Sequence, residues 1–310
     1  MNQEYLAYWG LERSPFQLAP DEDMMYLGGQ YYECFERLTY AVNTNKGGVL
    51  LVSEEAGLGK TTLLLKLVTE LSEEYGDLYR YSFLDHPTLT TAQVVAHIAA
   101  GITGMRPDDD KFKNLLAMKE ALISLKKSSG KATVIVDEAH MLCDRKEVLQ
   151  ELRMLLNLTH DRQYLITVIL SGQRPLWDTV KLIPEFWQRL PVKYYLVPLG
   201  IDEATALISS RLDKAGLEED REVFSQEAIQ MIHRYSQGLP RTMVALADVA
   251  LLIGYSYQAR KIGFKEVSKA IHAISGKDDR GSALPYVAGP TGLPHPETSM
   301  FRGFLKRIGV

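Results

Sequence analysis

Apolar positions along the chain recur with two periods, and the places where one gives way to the other mark its elements. Residues 31–44 are apolar at helical spacing. The run Gly48-Val49-Leu50-Leu51-Val52 that follows is apolar without interruption, as in a strand buried on both faces. The same reading predicts helices over 63–71, 91–102, 112–127 and 147–158, and strands over 78–84, 133–136, 165–170 and 194–197. Strands alternating with helices predict an α/β fold whose parallel sheet is covered on both faces. From Asp202 to about Ile274 only the helical period remains, so an all-helical subdomain is expected after the sheet.

The two ends break the pattern. Tyr8-Trp9-Gly10-Leu11 through Ser14-Pro15-Phe16 to Pro20-Asp21 is aromatic and interrupted by proline, and reads as an extended strap packed on something larger. Residues 276–310 carry four prolines and six glycines, a linker composition with no independent fold expected. That tail closes with Phe301, Phe304, Leu305 and Ile308 at i, i+3, i+4 and i+7, a short apolar stripe suited to docking in a partner groove or on anionic lipid. The expected organisation is a strap (1–30), an αβα domain (31–200), a helical lid (201–275) and a flexible tail (276–310).

Composition narrows the class. The 310 residues are 46% hydrophobic and 24% charged, as in globular proteins, which excludes collagen-like and mostly disordered chains. A net charge of −4 argues against a basic nucleic-acid coat while leaving room for a local basic groove. Cys34 and Cys143 stand alone and the seven histidines are scattered, so neither a disulfide framework nor a zinc site is expected, and a reducing compartment fits. The opening residues lack a signal-peptide pattern, and the most apolar stretch, Met243 to Tyr257, is shorter than a bilayer span and contains Asp248. A cytoplasmic location is expected.

Chemistry concentrates first in Ala56-Gly57-Leu58-Gly59-Lys60-Thr61-Thr62, between a predicted strand and a predicted helix. Glycines there let backbone N–H groups turn toward phosphate oxygens, and the helix N-terminus adds a favourable field. Lys60 would reach the β- and γ-phosphates of ATP, and the Thr61 hydroxyl would ligate Mg²⁺. The full pattern G-x-x-x-x-G-K-T asks for glycine at position 54, where this chain has Glu54. A left-handed backbone there would cost about 1–2 kcal/mol, and the carboxylate, beside Glu55, is expected to weaken nucleotide binding. The second signal is Val134-Ile135-Val136-Asp137-Glu138-Ala139-His140. Its apolar residues carry the chain through the sheet and its acids emerge at the edge, Asp137 to hold Mg²⁺ through water and Glu138 to polarise the attacking water.

Taken with these motifs, residues 5–275 resemble the ExeA/GspA-like branch of the AAA+ ATPases. The resemblance rests on Gly10-Leu11, Pro15-Phe16, Pro20-Asp21, the phosphate loop, Asp137-Glu138-Ala139-His140, Leu155-Leu156-Asn157-Leu158, Gly172-Gln173, Gln188-Arg189, Pro198-Leu199, Arg211-Leu212 and Gly238-Leu239-Pro240-Arg241, in that order. That branch is similar to the TnsC, TniB and MuB ATPases of DNA transposition. The resemblance implies a three-layer AAA+ P-loop NTPase fold with a lid, and slow ATP hydrolysis dependent on oligomerisation. It implies Gln173 or Ser171 as sensor 1, Arg189 as an arginine finger for a neighbouring subunit, and Arg241 as sensor 2. Cations around the spreading charge of a transferring phosphoryl group supply the chemical reason.

Two readings of the motor's partner follow. In one, a ring or helical filament of six or more subunits per turn assembles on duplex DNA and recruits a transposase; His86, Thr88, Thr90, Thr91, Arg106, Lys111 and Lys113 are then the candidate phosphate contacts. In the other, it is an assembly ATPase of a secretion or pilus system acting on protein. Secretion-type members of the family continue into a membrane span and a peptidoglycan-binding domain; this chain shows neither, so the DNA-associated reading is the expected one.

Overall fold

The structure, a computed structural model, describes residues 2–275. In chain order its helices and strands are α1 (Asn2–Trp9), α2 (Gln30–Asn43), β1 (Gly48–Ser53), α3 (Lys60–Tyr75), β2 (Tyr79–Leu84), α4 (Thr91–Thr103), α5 (Lys111–Lys127), β3 (Lys131–Val136), α6 (Lys146–Leu155), β4 (Thr159–His160), β5 (Gln163–Tyr164), β6 (Thr167–Gln173), α7 (Arg174–Lys181), α8 (Pro184–Trp187), β7 (Val192–Leu196), α9 (Ile201–Lys214), α10 (Gln226–Ser236), α11 (Pro240–Ser256) and α12 (Phe264–Ser275).

Five strands form a parallel sheet in the order β2-β3-β6-β1-β7, as the strand-helix alternation predicts. Every residue of β1 is buried, which explains its unbroken apolar run: it lies between β6 and β7 with helices on both faces. One apolar layer joins Leu63, Leu67 and Val68 of α3 to the strap and to Ile229 and Met243 of the later helices. The opposite layer joins Val94 and Ile98 of α4, Met118 of α5 and Leu152 of α6 to the other face of the sheet. The later helices thus share one continuous core with α3 and with one face of the sheet, through Val49, Leu51, Ile135 and Ile169.

Two local departures from the sequence reading have clear causes. The opening is not wholly extended: α1 forms, and Trp9 is buried with its indole Nε1 donating to the Leu251 carbonyl at 3.2 Å. Its aromatic residues serve tertiary contact with α11, which local pattern does not reveal. The strand expected to begin at Leu165 starts at Thr167, because 163–164 fold back on 159–160 through Asp161 and Arg162, both at positive φ (48° and 62°). Neither residue is a glycine, so the turn left no ordinary signal. Among the described residues no helix is long and apolar enough to cross a membrane. The stripe Phe301, Phe304, Leu305 and Ile308 lies outside the described residues.

Candidate nucleotide-binding site

Parallel pairing brings the two motifs to one edge. The loop after β1 and the acids after β3 emerge at the C-terminal ends of their strands, with β6 between them, where open α/β sheets bind ligands. Lys60 and Thr61 open α3, and Gly57 and Gly59 turn the loop at φ of 86° and 79°. Gly57 is held on a second count: a Cβ there would meet Cβ of Arg241 at 3.1 Å, and its carbonyl accepts the Arg241 N–H at 3.1 Å. The lid helix α11 is thus docked on the phosphate loop itself.

Side chains converge at this edge. Lys60 is buried, its Nζ donating to Ser53 Oγ at 2.6 Å, and Ser53 Oγ donates onward to the Glu55 carbonyl at 2.6 Å. Burial pulls the Lys60 ammonium down, while the Glu138 and Asp137 carboxylates pull it back up. Asp137 is 3% exposed and accepts two hydroxyls, Thr61 Oγ1 at 2.5 Å and Ser171 Oγ at 2.7 Å. Thr61 and Asp137 supply hard oxygen ligands of the kind Mg²⁺ takes alongside substrate phosphates. A hydroxyl and a single carboxylate suffice for that, and no cluster of three or more metal-ligating acids, histidines or cysteines occurs among the described residues.

Glu138 lines the cleft at φ 48°, a left-handed conformation that costs a non-glycine residue about 1–3 kcal/mol and is retained where a side chain must be aimed. His140 Nδ1 lies 3.2 Å from Glu138 Oε2, without the alignment of a good hydrogen bond, and its Nε2 lies 3.4 Å from Gln173 Nε2. Gln173 therefore stands behind His140, whereas Ser171, the other sensor-1 candidate, contacts Asp137. His140 was legible as a letter of the motif but not as the link between Gln173 and Glu138.

The cleft is lined by Gly57, Gly59, Lys60, Thr61 and Thr62 on one side and by Pro240, Arg241 and Val244 of the lid on the other. Two further walls escaped the sequence reading. Gln17, Leu18, Ala19 and Pro20 of the strap form one, and Arg211 of α9 the other. Arg211 donates from Nη1 to the Pro15 carbonyl at 3.1 Å, and its buried Nε has no hydrogen-bond partner. A half-buried, partly unsatisfied guanidinium beside a phosphate loop is a signal only structure could give.

Glu54 corrects an expectation. The loop residues at positive φ are glycines and Glu54 is not among them, so the anticipated strain is absent. Its carboxylate turns aside to Arg174 Nη1 at 3.0 Å and to the Tyr195 hydroxyl. Arg189 sits at the other end of the sheet. Its carbonyl accepts Gly48 N–H at 3.0 Å and its Nη1 donates to the Leu156 carbonyl at 3.2 Å. Five steps of strand at about 3.3 Å each put it roughly 17 Å from the loop that ends β1, so it does not serve its own phosphate loop.

The candidate DNA contacts are scattered and mostly engaged. Lys111 pairs with Glu151 at 2.6 Å and Lys113 with Asp108 at 3.2 Å. Thr90 caps α4 in a capping box with Gln93, and the Thr88 carbonyl accepts from Arg145 at 2.7 Å. His86 and Arg106 are exposed.

Residues 43–180 match the family model of an AAA domain. This segment is similar to an AAA domain. The chain is 30% identical over 281 residues to General secretion pathway protein A of Aeromonas hydrophila, across 90% of this chain and 50% of that protein. It is 28% identical over 158 residues to an uncharacterized HTH-type transcriptional regulator of Methanocaldococcus jannaschii, across 50% of this chain and 38% of the other. The chain thus spans half, or less, of the length of these relatives. Among solved structures, Aeropyrum pernix ORC1 in complex with DNA matches with a TM-score of 0.64 at 17% identity, over 84% of this chain and 69% of that one. The Thermotoga maritima RuvB Holliday junction branch migration motor matches with a TM-score of 0.54 at 18% identity, over 95% and 86%. At these identities the likeness shows the fold alone.

Proposed function

We propose that this protein is a Mg²⁺-dependent ATP hydrolase that works as an assembly, its site completed by Arg189 from a neighbouring copy. The observation that carries the reading is the convergence of Thr61 and Ser171 on the buried Asp137, one sheet edge with Lys60 and Glu138. Bound Mg²⁺, held by Thr61 and through water by Asp137, would neutralise charge on the phosphate oxygens. Lys60 leaves Ser53 Oγ for the β- and γ-phosphates, exchanging a neutral acceptor for a charged one. Glu138, which lines the cleft with His140 3.2 Å from its carboxylate, takes a proton from the attacking water. Arg241, anchored to Gly57 through its own backbone, supports lid closure over the nucleotide.

The distance of Arg189 from its own loop supports a role in trans. Arg189→Ala is expected to abolish turnover, by about a thousandfold or more, with ATP binding intact; Glu138→Gln should do the same without blocking assembly. Unchanged turnover in Arg189→Ala would remove the assembly model.

The 30% identity to a general secretion pathway protein over nine-tenths of the chain favours a protein-assembly role. The DNA-associated reading, with a transposase partner related to the TnsC, TniB and MuB systems, retains exposed His86 and Arg106 as candidate phosphate contacts, while the ion-paired Lys111 and Lys113 count against it. Sedimentation with a non-hydrolysable ATP analogue, with and without duplex DNA, separates them. Assembly needing both ligands and dissolved by salt supports DNA; assembly indifferent to DNA supports the protein-partner reading.

A further inference from the structure

The residue that departs from the phosphate-loop pattern points to a further member of the site. The register pairs Ser53 of β1 with Gln173 of β6, so Glu54 and Arg174 leave the sheet side by side at the C-terminal edge. There Arg174 Nη1 donates to Glu54 Oε1 at 3.0 Å, and the Tyr195 hydroxyl, from β7, donates to the other carboxylate oxygen. Arg174 Nε also lies 3.7 Å from Asp178 Oδ2, one turn along α7. The two hydrogen bonds, Tyr195 first and Arg174 second, hold the Glu54 carboxyl below the usual range, and burial together with Glu54 pushes the Tyr195 phenol up to about 12. The carboxylate is therefore charged and its charge is masked.

The same edge adjoins the phosphate loop. Lys60, the cation of the phosphate loop, rests its ammonium on Ser53, the residue next to Glu54. The pair is loosely held: the side chains of Arg174 and Glu54 are 58% and 50% exposed, and ion pairs so open to water exchange partners readily. A γ-phosphate taking the place of Ser53 on the Lys60 ammonium would bring more negative charge and more acceptor oxygens than one carboxylate, and a guanidinium binds phosphate in the same forked geometry.

We propose that Arg174 is a specificity-determining residue for the triphosphate, kept in reserve by Glu54 and transferred to the γ-phosphate when ATP, but not ADP, fills the site. Glu54 then remains bonded to Tyr195, which keeps its charge turned away from the phosphates. This rests on the ATPase reading above and adds to it a side chain outside both sequence motifs. It also gives a reason for the glutamate at a glycine position: the residue stores a cation next to the loop.

The experiment is calorimetric titration of the full chain with Mg²⁺ and either a non-hydrolysable ATP analogue or ADP, for the native protein, Arg174→Ala, Arg174→Lys and Glu54→Gln. Loss of one charge-assisted phosphate contact is expected to lower analogue affinity by about tenfold in Arg174→Ala while ADP affinity moves by less than about twofold. Arg174→Lys should fall between, and Glu54→Gln should raise the analogue-to-ADP ratio. If analogue and ADP affinities fall together in Arg174→Ala, the residue only braces the loop and the proposal is overturned; an unchanged ratio in both Arg174→Ala and Glu54→Gln overturns it too. A native protein that binds neither nucleotide would overturn the ATPase reading as well, so the two failures are distinguishable.

Discussion

Asp248 lies in the lid helix α11, one turn from Leu251 and two from Tyr255, on the stripe that receives α1. Burial alone raises its carboxyl from an ordinary 3.8 to about 6. Tyr5 of α1 feels that charge, and its own hydroxyl is buried without a partner. Replacing Asp248 by Asn should therefore stabilise the protein. For an acid whose pKa is raised in the fold, the unfolded chain ionises first, so stability falls as pH rises from 3.8 through 6 and stays low above it. The full penalty, at 1.36 kcal/mol per pKa unit, is about 3 kcal/mol. For a domain of this size that amounts to roughly 6–12 °C in melting temperature.

The assay is denaturation of the native protein and Asp248→Asn at pH 7.5 and near pH 4, reading the difference between the two proteins so that other carboxylates cancel. A gain of several degrees at pH 7.5 that shrinks toward zero near pH 4 is the expected result. A variant no more stable at pH 7.5, or equally more stable at both pH values, would refute the reasoning, because only the ionised carboxylate carries the penalty.

Other outcomes follow from the packing around the cleft. Arg211→Met removes the donor to Pro15 and the buried cation of the cleft wall, and ATP affinity by calorimetry should drop by about tenfold; unchanged affinity would confine Arg211 to anchoring the strap. In Gly254→Ala the new Cβ would meet Ile262 at 2.3 Å and the Trp9 ring at 2.9 Å. Overpacking there should cost about 1–3 kcal/mol in denaturant titration and alter Trp fluorescence, and a neutral result would mean that α1 is not seated as described.

What was legible in the sequence was whatever a local pattern encodes. An uninterrupted apolar run located β1, and strand-then-acid spacing located Asp137 and Glu138, because each depends on residues adjacent in the chain. The cleft walls were hidden for the opposite reason. Arg211 reaches Pro15 across 196 residues, and Glu54 finds Arg174 across 120. No period or motif records such a meeting; it is created by the register of β1 on β6 and by the return of α9 over the strap. Glu54 was visible as an exception, but a missing glycine says only that a backbone differs, and the direction in which its side chain turns is a tertiary fact.

The strap shows how such long-range bonds build the cleft. Glu12 N–H donates to the Ala215 carbonyl at 2.8 Å, Arg13 Nε to the Lys214 carbonyl at 3.2 Å, Arg211 to Pro15, Lys214 Nζ to the Met25 carbonyl at 2.6 Å, and Arg221 Nη2 to the Tyr8 carbonyl at 2.7 Å. Toward α3 the strap makes a 3.4 Å contact between Thr69 and Glu22. Beside the apolar layer that it shares with α3, the strap is thus tied to α9 and the loop after it by main-chain and charged hydrogen bonds. Through Arg211 and Pro20 the strap and α9 form one side of the cleft, facing the phosphate loop on the other.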